Sequence, residues 1–148
     1  MTLRAATHAD IPALVELGRD MHAGSSFAPM DFDAEVLGAT FARMLEQSQF
    51  LVVAEDGGGE IVGGMAGMVS RSWFGKDWVA NDLGLFLRSG HAMTAVHLLK
   101  AFVNWASLAG AKQIRPGVST GHDGAERFYE GLGFVRTGAL FVLDVKGD

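Results

Sequence analysis

The sequence predicts a mixed α/β (α+β) domain, with a single, mostly antiparallel sheet flanked by about four helices. Three observations predict it. Apolar stripes at three- and four-residue steps recur in four segments, and short apolar runs bounded by glycine-rich turns recur between them. The segments follow one another in the order β, α, α, β, β, β, α, β, α, β, β, with no internal repeat and no long linker. With 148 residues, 49% of them apolar, the chain has the length and composition of one domain, residues 1–148, with a substantial core.

The first strand is read at Leu3 to Ala6. Thr7 with Asp10 three residues on is a helix-capping pattern, and Ile11, Leu14, Val15, Gly18 and Met21 then form one stripe. The Gly-Ser-Pro-containing stretch Ala23 to Asp31 breaks that helix, and Val36, Leu37, Thr40, Phe41, Met44 and Leu45 repeat the stripe in a second. Phe50 to Ala54 and Ile61 to Val69, joined by the turn Glu55 to Glu60, read as a hairpin. After the aromatic stretch Trp73 to Trp78, alternation in Val79, Asn81, Leu83, Leu85 and Leu87 adds a further antiparallel strand. The longest helix starts near Ala92, with Ala95, Leu98, Leu99, Phe102, Ala106 and Ala109 on one face and Gly110 as its C-terminal cap. Gln113 to Val118 reads as a strand in which Pro116 suits an edge or the end of pairing. A short helix over about Asp123 to Leu132 follows, with Gly133 after it, then two strands near Phe134 to Arg136 and Leu140 to Val145.

Composition narrows the function classes. There is no apolar run of about 18 residues, and Met1 to Ala6 carries Arg4 with no apolar stretch behind it. Neither a membrane span nor a signal peptide is expected, and the expected location is cytoplasmic. The chain has no cysteine, which excludes disulfides, thiolate nucleophiles and sulfur-ligated zinc. A formal charge of -5 argues against nucleic acid as a partner and is compatible with a cationic amine.

The segment Ala125-Glu126-Arg127-Phe128-Tyr129-Glu130-Gly131-Leu132-Gly133-Phe134 begins with a small residue, places a tyrosine four positions on and ends in Gly-Phe. With the element order, the opening Thr7-His8-Ala9-Asp10-Ile11-Pro12, the Ile61-Val62-Gly63 of the third strand and the stretch Leu85 to Leu99, it resembles the GNAT superfamily of acyl-CoA N-acyltransferases over essentially the full chain. That family's other hallmark is a turn between the fourth strand and the long helix, of the form Arg or Gln, two residues, Gly, one residue, Gly or Ala. Here it is altered. Aligned on Leu98-Leu99, Gly90 stands where the Arg or Gln belongs and Met93 where the first small residue belongs, with Ala95 kept. With shifted spacing, Arg88-Ser89-Gly90 supplies the basic residue and the glycine instead.

The resemblance implies transfer of an acetyl group from acetyl-CoA to a primary amine of a small molecule, peptide or protein, by direct attack in a ternary complex without a metal. It implies that Tyr129 protonates the departing thiolate and that Asp82 takes the proton from the substrate ammonium, directly or through water. A phenol of reference pKa ~10 and a thiol near ~8.5 lie close enough for such a transfer. Read from the residues alone, Tyr129 is also one more member of the Ala125, Phe128, Leu132 face, and Asp82 a solvated strand residue. The cofactor positions implied are Leu85 and Phe86, on a strand whose backbone would pair with the pantetheine arm where it splays from Val118. They also include Arg88, Ser89, Gly90, His91, Ala92 and Ala95 at the turn, His122 where the family often has asparagine, and Ala125 and Phe128 on the last helix. In physical terms, backbone N–H groups and the positive end of a helix hold a pyrophosphate without side chains. Gly90 and Ala92 are small enough for backbone to approach phosphate, and Arg88 and His91 add charge. An ordinary strand-to-helix turn has the same local sequence.

Other signals point elsewhere or nowhere. Gly117-Val118-Ser119-Thr120-Gly121 has the spacing of a hydrolase nucleophile elbow, but the one histidine after Ser119 is His122, three residues on, which leaves no place for a triad. His8, His22, His91, His97 and His122 include no i, i+4 pair and no HExxH, so no metal site is expected. Gly63, Gly64 and Gly67 sit inside an apolar strand run and read as close packing or a bulge. Trp73, Phe74 and Trp78 read as hairpin packing, or as the wall of an acceptor pocket. Acceptor recognition is expected in His22 to Asp33 and Arg71 to Ala80, where Asp31, Asp33 and Asp77 suit a cation. The rival reading is an acyl-CoA-binding or protein-interaction domain of the same fold without catalysis. The terminal strands suit pairing across a homodimer.

Overall fold

The computed structural model describes residues 1–117 and 123–146. One five-stranded sheet runs β1 (Thr2–Ala5), β2 (Phe50–Glu55), β3 (Ile61–Arg71), β4 (Trp78–Leu87), β5 (Ala111–Arg115). The first four pair antiparallel, and β5 lies parallel to β4. A parallel pair needs a crossover, which α3 (Ala92–Leu108) supplies.

Helices α1 (Ile11–Ala23) and α2 (Ala34–Glu46) cover one face of the sheet and α3 the other, with α4 (Asp123–Gly131) packed beside α3. The stripes become core as predicted: Leu14, Leu17 and Phe41 pack on the first face, Leu98, Leu99 and Phe102 on the second. Each such side chain contributes roughly 1.5–3 kcal/mol of burial.

Local chemistry sets the helix ends. The Thr7 N–H donates to Asp10 Oδ2 at 2.8 Å at the start of a single 3-10 turn, His8–Asp10, that leads into α1. Asp33 Oδ1 accepts the N–H groups of Glu35 and Val36 at the start of α2. Gly110 and Gly133, the predicted caps, adopt φ +88 and +94. Phe134 N–H reaches Tyr129 O and Gly133 N–H reaches Glu130 O, a Schellman closure that fixes the end of α4.

Two details of β4 prepare a site. Ala66 pairs with Gly84 and Gly67 with Asp82, so Leu83 is an extra residue, a β-bulge. Pairing with β5 ends at Asn81 opposite Arg115, whereas β4 continues to Leu87. Among the described residues, Asp82 to Leu87 therefore have no paired strand on that side.

Two expectations change. The strands predicted near Phe134 to Arg136 and Leu140 to Val145 are irregular instead. Leu140, Phe141, Leu143 and Val145 are all more than 85% exposed, because apolar β-formers make a strand only where an edge pairs with them. Strand β5 ends at Arg115, before Pro116, and the predicted continuation to Val118 lies outside the described residues, as do Ser119 and His122. Trp73 and Phe74 show the hairpin packing read from the sequence: they meet edge to face at 5.2 Å at the tip of the β3–β4 hairpin, and Trp73 is 94% exposed. Among the described residues no helix is long and apolar enough to cross a membrane.

Candidate active site where two strands part

Tyr129 and Asp82 come together across the α3/α4 face of the sheet. The apolar face of α4 places Tyr129 in the core cluster with Leu85, while Ala125, Phe128 and Phe134 pack around it. The ring is only 9% exposed and meets Phe128 and Phe134 at 5.6 Å each. Burial, and then the negative charge of Asp82, push its phenol up to about 12.

Asp82 stands at the point where β4 leaves β5. Its Oδ1 accepts the N–H of Gly117, at 3.2 Å, just beyond the end of β5. Burial raises the pKa of this half-buried carboxyl, opposed by hydrogen bonds from the N–H groups of Gly117 and of Asp82 itself. A carboxylate whose charged form is disfavoured is a stronger base than one in free solution, and its neighbour is a phenol that stays protonated. That is the division of labour an acid–base pair requires.

The turn after β4 has the features of an anion cradle. Gly90 adopts φ +82, and a Cβ there would meet nothing within 4 Å, so the backbone faces open space. Helix α3 begins at Ala92 with His91 as its N-cap, no side chain caps its N–H groups, and no acid stands in its first turn. Ser89, Gly90 and Ala92 are exposed, and His91 and Ala95 partly so. Arg88 does not point freely into this cradle: its Nη1 pairs with Glu60 at 2.6 Å. These residues fit a pyrophosphate held by backbone and helix dipole.

Leu85 and Phe86 face opposite ways. Leu85 packs on the α3 face, while Phe86 is buried with the α1/α2 core and meets Phe41 edge to face at 6.0 Å. Only the backbone of Phe86 can serve a ligand lying along β4. On that second face a cavity of about 260 Å³ opens between α1, α2 and β4, lined in part by Leu83 and Phe86. Alternation already sets Leu85 and Phe86 on opposite faces, but it carries no sign of the extra residue at Leu83 that brings that side chain to the cavity.

No family model and no curated protein matches the chain. Solved structures do. An acetyltransferase from Trypanosoma brucei is 21% identical with a TM-score of 0.74, covering 97% of this chain and 99% of that one. A glucosamine-6-phosphate N-acetyltransferase from Arabidopsis thaliana is 12% identical with a TM-score of 0.77, covering 98% of each. A transcriptional regulator from Bacillus halodurans is 23% identical with a TM-score of 0.72, covering 97% and 99%. The chain has the fold of the GNAT acetyltransferases.

Proposed function

We propose that this chain, built on the acetyltransferase fold, is an enzyme that moves an acetyl group from acetyl-CoA to a primary amine. The observation that carries the reading is the opposition of a buried tyrosine and a half-buried carboxyl where β4 and β5 part. The unsupported edge of β4 beyond Asn81 and the uncapped start of α3 support the cofactor half. Acetyl-CoA supplies the activated thioester when bound.

In this reading the N–H groups of Ser89 to Ala92 hold the pyrophosphate, and the β4 backbone around Leu85 and Phe86 aligns the pantetheine arm and polarises the thioester carbonyl. Asp82 removes the proton that the acceptor ammonium must lose before it attacks. Tyr129 gives its proton to the departing sulfur. At about 12 the phenol stands about 3.5 units above a free thiol of ~8.5, so it does not protonate a relaxed, solvated thiolate well. The thiolate, however, forms in the same desolvated surroundings that raised the phenol, and its own basicity rises with them. Phe128 and Ala125 keep water from the phenol.

The test is calorimetric titration with acetyl-CoA and with CoA, together with thiol release in the presence of mixed primary amines. Micromolar binding with amine-dependent release is expected, and Tyr129→Phe should lower kcat by about 10²-fold while leaving CoA affinity nearly unchanged. Binding of CoA without acetylation of any amine would favour a binding domain. No binding of either ligand would remove the reading.

A further inference from the structure

We infer that the acceptor is a compact monoamine with an apolar, arylalkyl body, seated in the cavity between α1, α2 and β4. The inference rests on the acetyltransferase reading above and deepens it. The cavity adjoins the candidate active site through the bulge: Leu83 lines it, and the next residue back is Asp82. Among the described residues β4 has no β5 partner beyond Asn81, so its edge there is open toward both faces of the sheet. An amine projecting from the cavity past Leu83 arrives at the carboxylate.

The lining decides the class. Phe32, Phe41, Leu37, Leu83, Phe86 and Met21 form its walls. Its polar members are mostly committed elsewhere. Asp33 Oδ1 accepts two N–H groups of α2, and Thr40 Oγ1 donates to Val36 O at 3.1 Å. His22 lies 5.4 Å from Phe32, ring to ring, and its Nε2 is sealed from solvent with no hydrogen-bond partner among the described residues. Asp31, exposed at the rim, is the remaining carboxylate.

An amino sugar would bring several hydroxyls against these walls without partners, and a polyamine's further ammonium would meet carboxylates, Asp31 and Asp33, only at the exposed rim, where water screens them. An aryl ring meets aromatic edges and faces instead. At about 260 Å³ the space suits one ring and a short chain, just below the ~300 Å³ where small-ligand sites usually begin.

The experiment compares 2-phenylethylamine with spermidine, glucosamine and a lysine peptide as acceptors of the acetyl group, on the whole chain and on Leu83→Glu. Leu83 is 46% exposed, so this change places a carboxylate at the cavity without burying it in the core. We expect kcat/KM for 2-phenylethylamine to exceed the others by about 100-fold, the size of one unpaired buried charge or its equivalent. Leu83→Glu should abolish that preference while CoA affinity and Tm hold. Equal or better use of spermidine, glucosamine or the peptide would overturn the inference and leave the acetyltransferase reading standing. If CoA binds but no amine is acetylated, calorimetry of 2-phenylethylamine with the CoA-loaded protein decides: binding lost in Leu83→Glu supports the cavity's assignment, and no binding overturns it. Failure of both CoA binding and thiol release overturns both readings.

Discussion

Tyr129 is the one tyrosine in the chain, which makes its environment directly measurable. Burial and the Asp82 charge raise its phenol from 10.0 to about 12. We therefore expect no tyrosinate absorbance near 295 nm as pH rises through about 10, and a step at the ordinary tyrosine pKa would contradict the buried pairing. Asp82→Asn keeps an oxygen for the Gly117 N–H and removes the charge. It should lower the tyrosine step toward 10 and also raise stability near pH 7. The sign follows from linkage: the folded-state pKa of Asp82 is raised, so the stability linked to its protonated form is present at low pH and lost as pH rises through that pKa. A neutral amide escapes that loss. Thermal melts at pH 7 should show a higher Tm together with loss of turnover, the combination expected of a group held for chemistry at some cost in stability.

Among the elements, the start of α3 and the start of α1 carry different loads. At Gly90, φ +82 with open space around the missing Cβ means that a side chain costs backbone strain of about 1–2 kcal/mol and closes the cradle. Gly90→Val should weaken CoA binding by about 10-fold or more with only a few degrees lost in Tm, read by titration and melting on the same sample. At the other end of the chain, Arg4 joins β1 to the segment before α1. Its guanidinium donates to both oxygens of Asp10, at 2.7 and 2.8 Å, and pairs with Glu55 of β2 at 2.6 Å. The hydrogen bonds from Arg4 come first among the causes that lower Asp10 from 3.8 to about 2. Because that pKa is depressed, the stability it contributes is present above about pH 4 and lost as pH falls through about 2. Denaturant unfolding at a series of pH values should show this slope in the native chain and its absence in Asp10→Asn.

At the scale of the whole molecule, two features bear on association. The outer edge of β5 has no strand beside it among the described residues, and Leu140, Phe141, Leu143 and Val145 stand exposed. Exposed apolar residues in a row and an open strand edge each favour association with another copy. We expect concentration-dependent dimerisation in sedimentation velocity, reduced when Leu140, Phe141 and Leu143 are replaced by serine. A monomer at all concentrations in both proteins would remove that expectation. The homodimer anticipated from the terminal strands thus becomes a proposal about an exposed segment.

The sequence by itself determined whatever depends on a few neighbouring residues. The stripes of α1, α2 and α3, the hairpin around Gly57 to Gly59, the caps at Gly110 and Gly133, and the placing of Tyr129 on the apolar face of α4 are all local patterns. The fold class followed from their order, because so few sheet topologies accept it. Tertiary structure decided what depends on residues far apart. Gly67 on β3 leaves room for Phe102 of α3, since a Cβ there would fall inside that ring, and Gly67 pairs with Asp82 across the bulge. The bulge then sends Leu83 to the cavity and Asp82 toward Tyr129, an assignment that strict alternation along β4 cannot make. The exposed segment 134–145 shows the converse: strand-forming residues are visible in a sequence, whereas the edge that must pair with them is not.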